Sequence, residues 1–154
     1  MKNRILTLLL LGNFFVIAIT NNGFSQREVK SLNPQKTSIS NQNNSELHSK
    51  TIEFSNDVYR DCPEYATTDF LKIYSSQLYQ VDIIIVPPGA SLAFPLLSSI
   101  PLRNKCNSEL SRDEEDFDQE NFNPLKYLFN YSTYTDQYFI VDNTNYVVHI
   151  AITQ

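Results

Sequence analysis

The chain has 154 residues, a formal net charge of −5 and a hydrophobic fraction of 42%. That length and composition allow one globular domain with a buried core, plus flanking segments. Because a negative chain without a local cluster of Lys and Arg repels phosphate backbones, we exclude nucleic acid as an expected partner.

Residues 1–25 have the pattern of a secretory signal peptide. A basic start at Lys2 and Arg4 precedes an apolar core over 5–19. The ending Phe24-Ser25-Gln26 resembles the secretory signal peptides of Bacteroidetes-type bacteria. An uncleaved membrane anchor is the alternative, but the apolar stretch falls short of the ~20 residues that span a bilayer. We therefore expect a secreted or periplasmic protein with no membrane span after signal removal.

The chain has two cysteines, Cys62 and Cys106. In an oxidising compartment, two cysteines of a small domain usually pair. A catalytic thiol is the alternative, yet it requires an electropositive environment, and the acidic residues Asp61 and Glu64 flank Cys62. The sequence therefore predicts a disulfide between Cys62 and Cys106.

Residues 26–50 are polar and aperiodic, which is typical of a disordered tether. A single folded domain is expected over 51–154. At its start, the alternation of Thr51-Ile52-Glu53-Phe54 predicts a short strand.

The segment 67–80 carries two patterns at once. A helical face would be formed by Phe70, Ile73, Tyr74 and Leu78, with Thr68 as the cap. Extended spacing would instead align Leu71, Ile73 and Tyr79 with the strand that follows. Because no Gly, Pro or Asn separates the two segments, we favour a long bent strand or a tight hairpin, with a helix as the alternative.

Val81-Asp82-Ile83-Ile84-Ile85-Val86 predicts a buried strand, since it is rich in β-branched residues. Pro87-Pro88-Gly89 ends it, and Pro88-Gly89 supplies the central pair of a type II turn. The apolar segment 92–97 contains Pro95, which predicts an edge strand or an ordered loop.

The acidic segment 113–120 follows a capping-box pattern at Ser111, which predicts a polar helix near 112–121. A second helix is expected to begin at Pro124. A calcium loop starting at Asp116 is the alternative. It would require glycine and glutamate where the chain has Asn121 and Tyr127, so its signature fails.

Tyr138–Val141 and Tyr146–Ile152 flank the turn residues 142–145, a pattern that predicts a β-hairpin. Together these elements indicate an α+β fold. A small, mainly antiparallel sheet containing 81–86, 138–142 and 146–152 would pack beside one or two helices.

No residue stands out as catalytic, cofactor-binding or metal-binding. His48 and His149 are too far apart for a zinc motif, and a Cys–His pair with His149 would compete with the disulfide. We expect His149 to be a half-exposed strand residue. A tyrosine-rich surface could bind a protein, peptide or glycan, or its members could lie in the core. The tyrosines concerned are Tyr127, Tyr131, Tyr134 and Tyr138.

The sequence thus indicates an exported bacterial protein that acts as a non-catalytic binding or interaction module in the cell envelope. The alternative is a small exported hydrolase whose carboxylates or tyrosines converge only in the folded chain. A concave pocket with a buried Asp or Glu would favour that alternative.

Overall fold

The computed structural model describes residues 35–38, whose backbone alone is considered, and residues 44–152. The predicted signal peptide and most of the predicted tether lie outside these residues. The described part has an α+β fold, as predicted. Its elements in chain order are β1 (Gln35–Ser38), α1 (Asn44–Val58), α2 (Thr68–Tyr79), β2 (Val81–Ile85), β3 (Gln137–Ile140) and β4 (Tyr146–Ile150).

The four described strands form one antiparallel sheet in the order β1-β2-β4-β3. The central pair aligns Ile83 with Val148 and Asp82 with His149. The predicted strand at 81–86 and the predicted hairpin are therefore confirmed. The turn after β2 is also confirmed, since Gly89 has φ +80° and the Ala90 N–H donates to the Pro87 carbonyl at 3.1 Å.

Both faces of the central strands are buried, which explains why the residues of β2 are apolar except for Asp82. On one face, Ile83 and Val148 pack into the main core with the helices. On the other face, Ile84 and Val147 are covered by the loop that carries Phe94. This loop is the predicted segment 92–97, and it reaches the edge of β3, where the Ile140 N–H donates to the Pro95 carbonyl at 2.9 Å.

Helix α1 replaces the predicted strand at 51–54 and includes residues 44–50 of the predicted tether, so both predictions are wrong here. The alternation was only four residues long, whereas the buried residues follow helical spacing along 44–58. These are Leu47, Thr51, Phe54, Ser55 and Val58. Thr51 fits inside because its hydroxyl donates to the Leu47 carbonyl at 2.7 Å. The polar residues that suggested a tether form much of the exposed face of the helix.

The helical alternative for 67–80 is the correct one, and the favoured extended conformation is wrong. Helix α2 buries Tyr74 and Leu78. Its N-cap is Thr67 instead of Thr68, and no side chain caps it. Gln80 alone, in a right-handed helical conformation, separates α2 from β2, so no Gly, Pro or Asn was needed.

No helix forms over 112–121, and the predicted helix at Pro124 is reduced to a 3-10 turn, Pro124–Lys126. The acidic side chains make long-range contacts instead of capping a helix. Asp113 Oδ1 accepts from Lys126 Nζ at 2.6 Å, and Glu114 Oε2 accepts from the Tyr127 hydroxyl at 2.9 Å. These contacts fix the segment in an irregular conformation.

The predicted disulfide between Cys62 and Cys106 is present, with Cα atoms 5.4 Å apart. It joins the segment after α1 to the 3-10 turn Asn104–Cys106, beside a hydrogen bond of 3.0 Å from the Asp61 N–H to the Cys106 carbonyl. Among the described residues, no helix has the length and apolar character needed to cross a membrane.

Candidate ligand-binding groove

A groove of about 290 Å³ lies between the end of α1, one face of α2 and the 3-10 turn at Cys106. We call it the aromatic groove. Its apolar side and its floor are formed by Tyr59, Tyr65, Phe70, Ile73, Tyr74 and Gln77. Its remaining wall is formed by Arg103, Lys105 and Cys106.

Helical spacing places four of these residues together. Phe70, Ile73, Tyr74 and Gln77 are separated by three, one and three positions, so they share one face of α2. The rings continue onto the preceding segment. The ring centroids of Tyr59 and Tyr74 are 5.0 Å apart, and those of Tyr65 and Phe70 are 5.1 Å apart. Such contacts fix the rings relative to one another.

The groove has a fixed inner row and an accessible outer row. Tyr59 and Tyr74 are buried, whereas Tyr65 and Phe70 are half-buried. Ile73 is 51% exposed although it is a large apolar side chain. Apolar surface grouped in a concavity is more informative than a scattered exposed residue, because it marks a place where a ligand can be desolvated.

The inner row of phenols is linked to Arg103 and to neighbouring tyrosines by hydrogen bonds and charge. Burial raises the pKa of Tyr74, and a hydrogen bond with Tyr59 raises it further. Burial likewise raises the pKa of Tyr131, against an opposing contribution from the Arg103 charge. The Tyr59 hydroxyl accepts from Arg103 Nη1 at 2.9 Å. The guanidinium is therefore held in place by the Tyr59 phenol.

Two polar atoms of groove residues lack partners. Arg103 Nε and Gln77 Oε1 are buried, yet neither has a hydrogen-bond partner within the described residues. Buried polar atoms are nearly always satisfied by protein, water or ligand. Both atoms lie beneath the surface of the groove, so these residues line it through their other atoms.

A second cavity, of about 330 Å³, is lined by Ser98, Arg112, Glu114 and Asp142 among others. The Glu114 side chain is only 7% exposed. Its Oε1 accepts from Arg112 Nε at 3.1 Å, and its Oε2 accepts from the Tyr127 hydroxyl. Asp142 accepts from both the backbone N–H and the hydroxyl of Ser98. The carboxylates of Glu114 and Asp142 in this cavity are therefore already hydrogen-bonded within the protein.

The acidic segment forms a small hollow of about 120 Å³ beside Asp113, Asp116 and Asp118. The Asp118 carboxylate accepts from the Glu120 N–H and from Asn121, and these bonds lower its pKa. Within the described residues, no group of three or more His, Cys, Asp or Glu side chains is arranged to hold a metal ion.

His149 is buried, so the prediction of a half-exposed residue is wrong. Its Nδ1 lies 3.1 Å from Asp82 Oδ2, and its Nε2 lies 3.6 Å from Asp136 Oδ2. The imidazole also stacks on Tyr138, with ring centroids 4.6 Å apart. Asp82 and His149 face each other across β2 and β4. This pair could not be predicted from the sequence, because it depends on the register of the two strands. Cys62 and Cys106 bond to each other and offer no thiol to this imidazole.

The four tyrosines singled out in the sequence are mostly packing residues. Tyr127 is fully buried, Tyr131 is half-buried, and Tyr138 stacks on Phe94 with ring centroids 5.0 Å apart. Tyr134 alone among the four is highly exposed, at 98%. Sequence reasoning did not single out Tyr59, Tyr65 or Arg103. The available signal was the helical face of Phe70, Ile73 and Tyr74.

No family model, curated protein or solved structure matches this chain.

Proposed function

We propose that the chain is an exported, non-catalytic binding module that holds an apolar side chain of a peptide ligand in the aromatic groove. The observation that carries this proposal is the accessible apolar surface of Ile73, Tyr65 and Phe70 beside a fixed row of rings. Tyr, Phe and Arg are the residue types enriched where proteins bind other proteins and peptides.

The size and rigidity of the groove support a small apolar group as its occupant. Small-molecule sites usually enclose ~300–1,000 Å³, and the groove, at about 290 Å³, lies just below that range. One aromatic or branched side chain would fill much of it. Because the rings are already stacked on each other, binding would order few additional rotamers.

A non-catalytic role is supported by the way the candidate acid–base groups are used. His149 lies between two carboxylates in the sheet, and both oxygens of Glu114 accept hydrogen bonds. Side chains held by such contacts stabilise the fold. Export is supported by the signal pattern of the first 25 residues together with the Cys62–Cys106 disulfide.

Ile73→Gln should weaken the binding of the neutral probe N-acetyl-phenylalanine amide. The substitution keeps a good helix former on an exposed face but removes the branched apolar surface of the groove. A loss of about 1 kcal/mol, or about fivefold in affinity, is expected from the apolar area removed. Titrations followed by ¹⁵N–¹H NMR measure both affinities.

Lys72→Gln is the matched control for this test. Lys72 precedes Ile73 in α2 and receives the same new residue, but it is exposed and does not line the groove. Its ion pair with Asp69 is solvent-exposed, so its loss should change stability little. Equal affinities of wild type and Ile73→Gln, or weakening by Lys72→Gln alone, would place binding elsewhere.

The second cavity favours one alternative function, a small exported hydrolase in which Glu114 is the acid or base. A concave pocket with a buried carboxylate is the arrangement such an enzyme requires. We expect no turnover of chromogenic ester, peptide or glycoside substrates, because Arg112 and Tyr127 already occupy the carboxylate. Hydrolysis that is present in wild type and absent in Glu114→Gln would instead establish the enzyme.

A further inference from the structure

We propose that the aromatic groove selects the C-terminal residue of a peptide, with its apolar side chain among the rings and its α-carboxylate beside Arg103 and Lys105. This inference rests on the proposed function and names the ligand class that the same groove would take.

The charge of the groove is opposite to the charge of the chain. The sequence has 17 acidic and 12 basic residues, yet the residues lining the groove include two cations and no carboxylate. Both other cavities described above are lined by several carboxylates. The acidic residues Glu64 and Asp69 immediately precede Tyr65 and Phe70, but neither lines the groove. An anionic group is therefore favoured at this site.

Arg103 has donors to spare. Within the described residues its guanidinium makes one hydrogen bond, from Nη1 to the Tyr59 hydroxyl. Its Nε is fully buried, so Nη2 is the nitrogen that can donate to a ligand. A planar guanidinium presents several N–H groups in a geometry that matches a carboxylate. Lys105 is exposed and has no ion pair with the described residues, so it adds a second positive charge at the rim.

The two cations are held beside the rings by the fold. The disulfide at Cys106 ties their turn to the segment between Tyr59 and Tyr65. The Arg103 N–H also donates to the Lys126 carbonyl at 2.6 Å. The disulfide and this hydrogen bond restrain the backbone that carries the two cations. Cations held in fixed positions can discriminate between ligands by the position of an anionic group as well as by its charge.

A C-terminal residue supplies both features that the groove requires. Its side chain and its carboxylate leave the same Cα atom, so they reach neighbouring subsites at once. An internal residue would present a neutral amide where the cations are. Capture of a terminal carboxylate by fixed donors is an established mode of peptide recognition.

The test compares N-acetyl-Ala-Phe as the free acid with the same dipeptide as the C-terminal amide, using the disulfide-intact protein and ¹⁵N–¹H NMR titration. The acid is expected to bind about tenfold more tightly than the amide. Arg103→Gln should reduce this preference to near unity, and Arg103→Lys should retain part of it. Lys72→Gln, which removes a cation outside the groove, should leave the preference unchanged.

Equal binding of acid and amide would overturn the inference while leaving the proposed function intact. Binding of neither dipeptide would overturn both. If 3-phenylpropionate binds as tightly as the dipeptide acid, the groove takes a free amphipathic acid and the peptide assignment is wrong. Should Arg103→Gln fail to fold, Lys105→Gln decides, because its side chain is exposed and its loss should lower the preference two- to threefold (about 0.5 kcal/mol).

Discussion

Replacing His149 with leucine should lower the free energy of unfolding by about 1–3 kcal/mol, the usual cost of removing one partner of a buried hydrogen bond. The imidazole lies between Asp82 and Asp136, and the Asp82 side chain is only 6% exposed. Leucine fills a similar volume but cannot form the hydrogen bond that His149 Nδ1 shares with Asp82 Oδ2. Urea denaturation at neutral pH measures the change.

The double variant Asp82→Val with His149→Val separates the loss of the contact between the two residues from the cost of keeping one buried polar residue without the other. These two residues are directly opposed in the sheet, so two β-branched side chains can pack there. We expect the double variant to be more stable than His149→Leu, since replacing both members of a buried pair is often neutral. Equal destabilisation of both variants would show that this pair contributes through packing.

Replacing Cys62 and Cys106 together with serine should lower the free energy of unfolding by about 4 kcal/mol in the chain-entropy treatment of a closed loop. The two residues are 44 positions apart, so the cross-link removes many conformations from the unfolded chain. Cys106 is also buried, and a serine hydroxyl there would need a partner. Thermal and urea unfolding of the oxidised protein and the double variant give the difference.

Reduced wild-type protein is the control for the serine hydroxyls, because it lacks the cross-link but keeps the native side chains. If reduced wild type and the serine variant lose similar stability, the cross-link itself accounts for the effect. A loss below about 1 kcal/mol in both would contradict the assigned role of the disulfide. In both the reduced protein and the serine variant, the position of Arg103 should be less restrained. The preference of the aromatic groove for a ligand carboxylate should therefore fall.

Three of the four described strands could be predicted from the sequence because their signals are local, whereas β1 lies in the segment predicted as a tether. β2 is a β-branched run stopped by proline, and the hairpin of β3 and β4 has turn residues between two apolar runs. The disulfide followed from the cysteine count and the export signal. The strand and turn inferences use residues that determine their own conformation, whereas the disulfide was inferred without any local structure.

The errors arise where long-range contacts decide the local structure. Four alternating residues at 51–54 suggested a strand, but a longer stripe of buried residues makes α1 a helix. The acidic segment matched a helix start, yet Asp113 and Glu114 bond to Lys126 and Tyr127, more than ten positions away. No local pattern contains those partners.

The groove was beyond sequence reasoning for the same reason. Tyr59 and Arg103 are 44 positions apart, and the fold joins them through a single hydrogen bond beside the disulfide. The predicted pairing of Cys62 with Cys106 did imply that the basic residues near 105 lie beside the segment near 62. What was missing was the helical state of 68–79, which turns Phe70 and Ile73 toward that segment.

Isotope-filtered nuclear Overhauser measurements on the complex with N-acetyl-Ala-Phe test the central claim most directly. We predict contacts between the ligand phenyl protons and both the Ile73 methyl groups and the Tyr65 ring, which form the accessible side of the aromatic groove. Contacts to residues around Glu114 and Asp142 in the second cavity, or no contacts at saturating ligand, would contradict the assignment of the groove as the binding site.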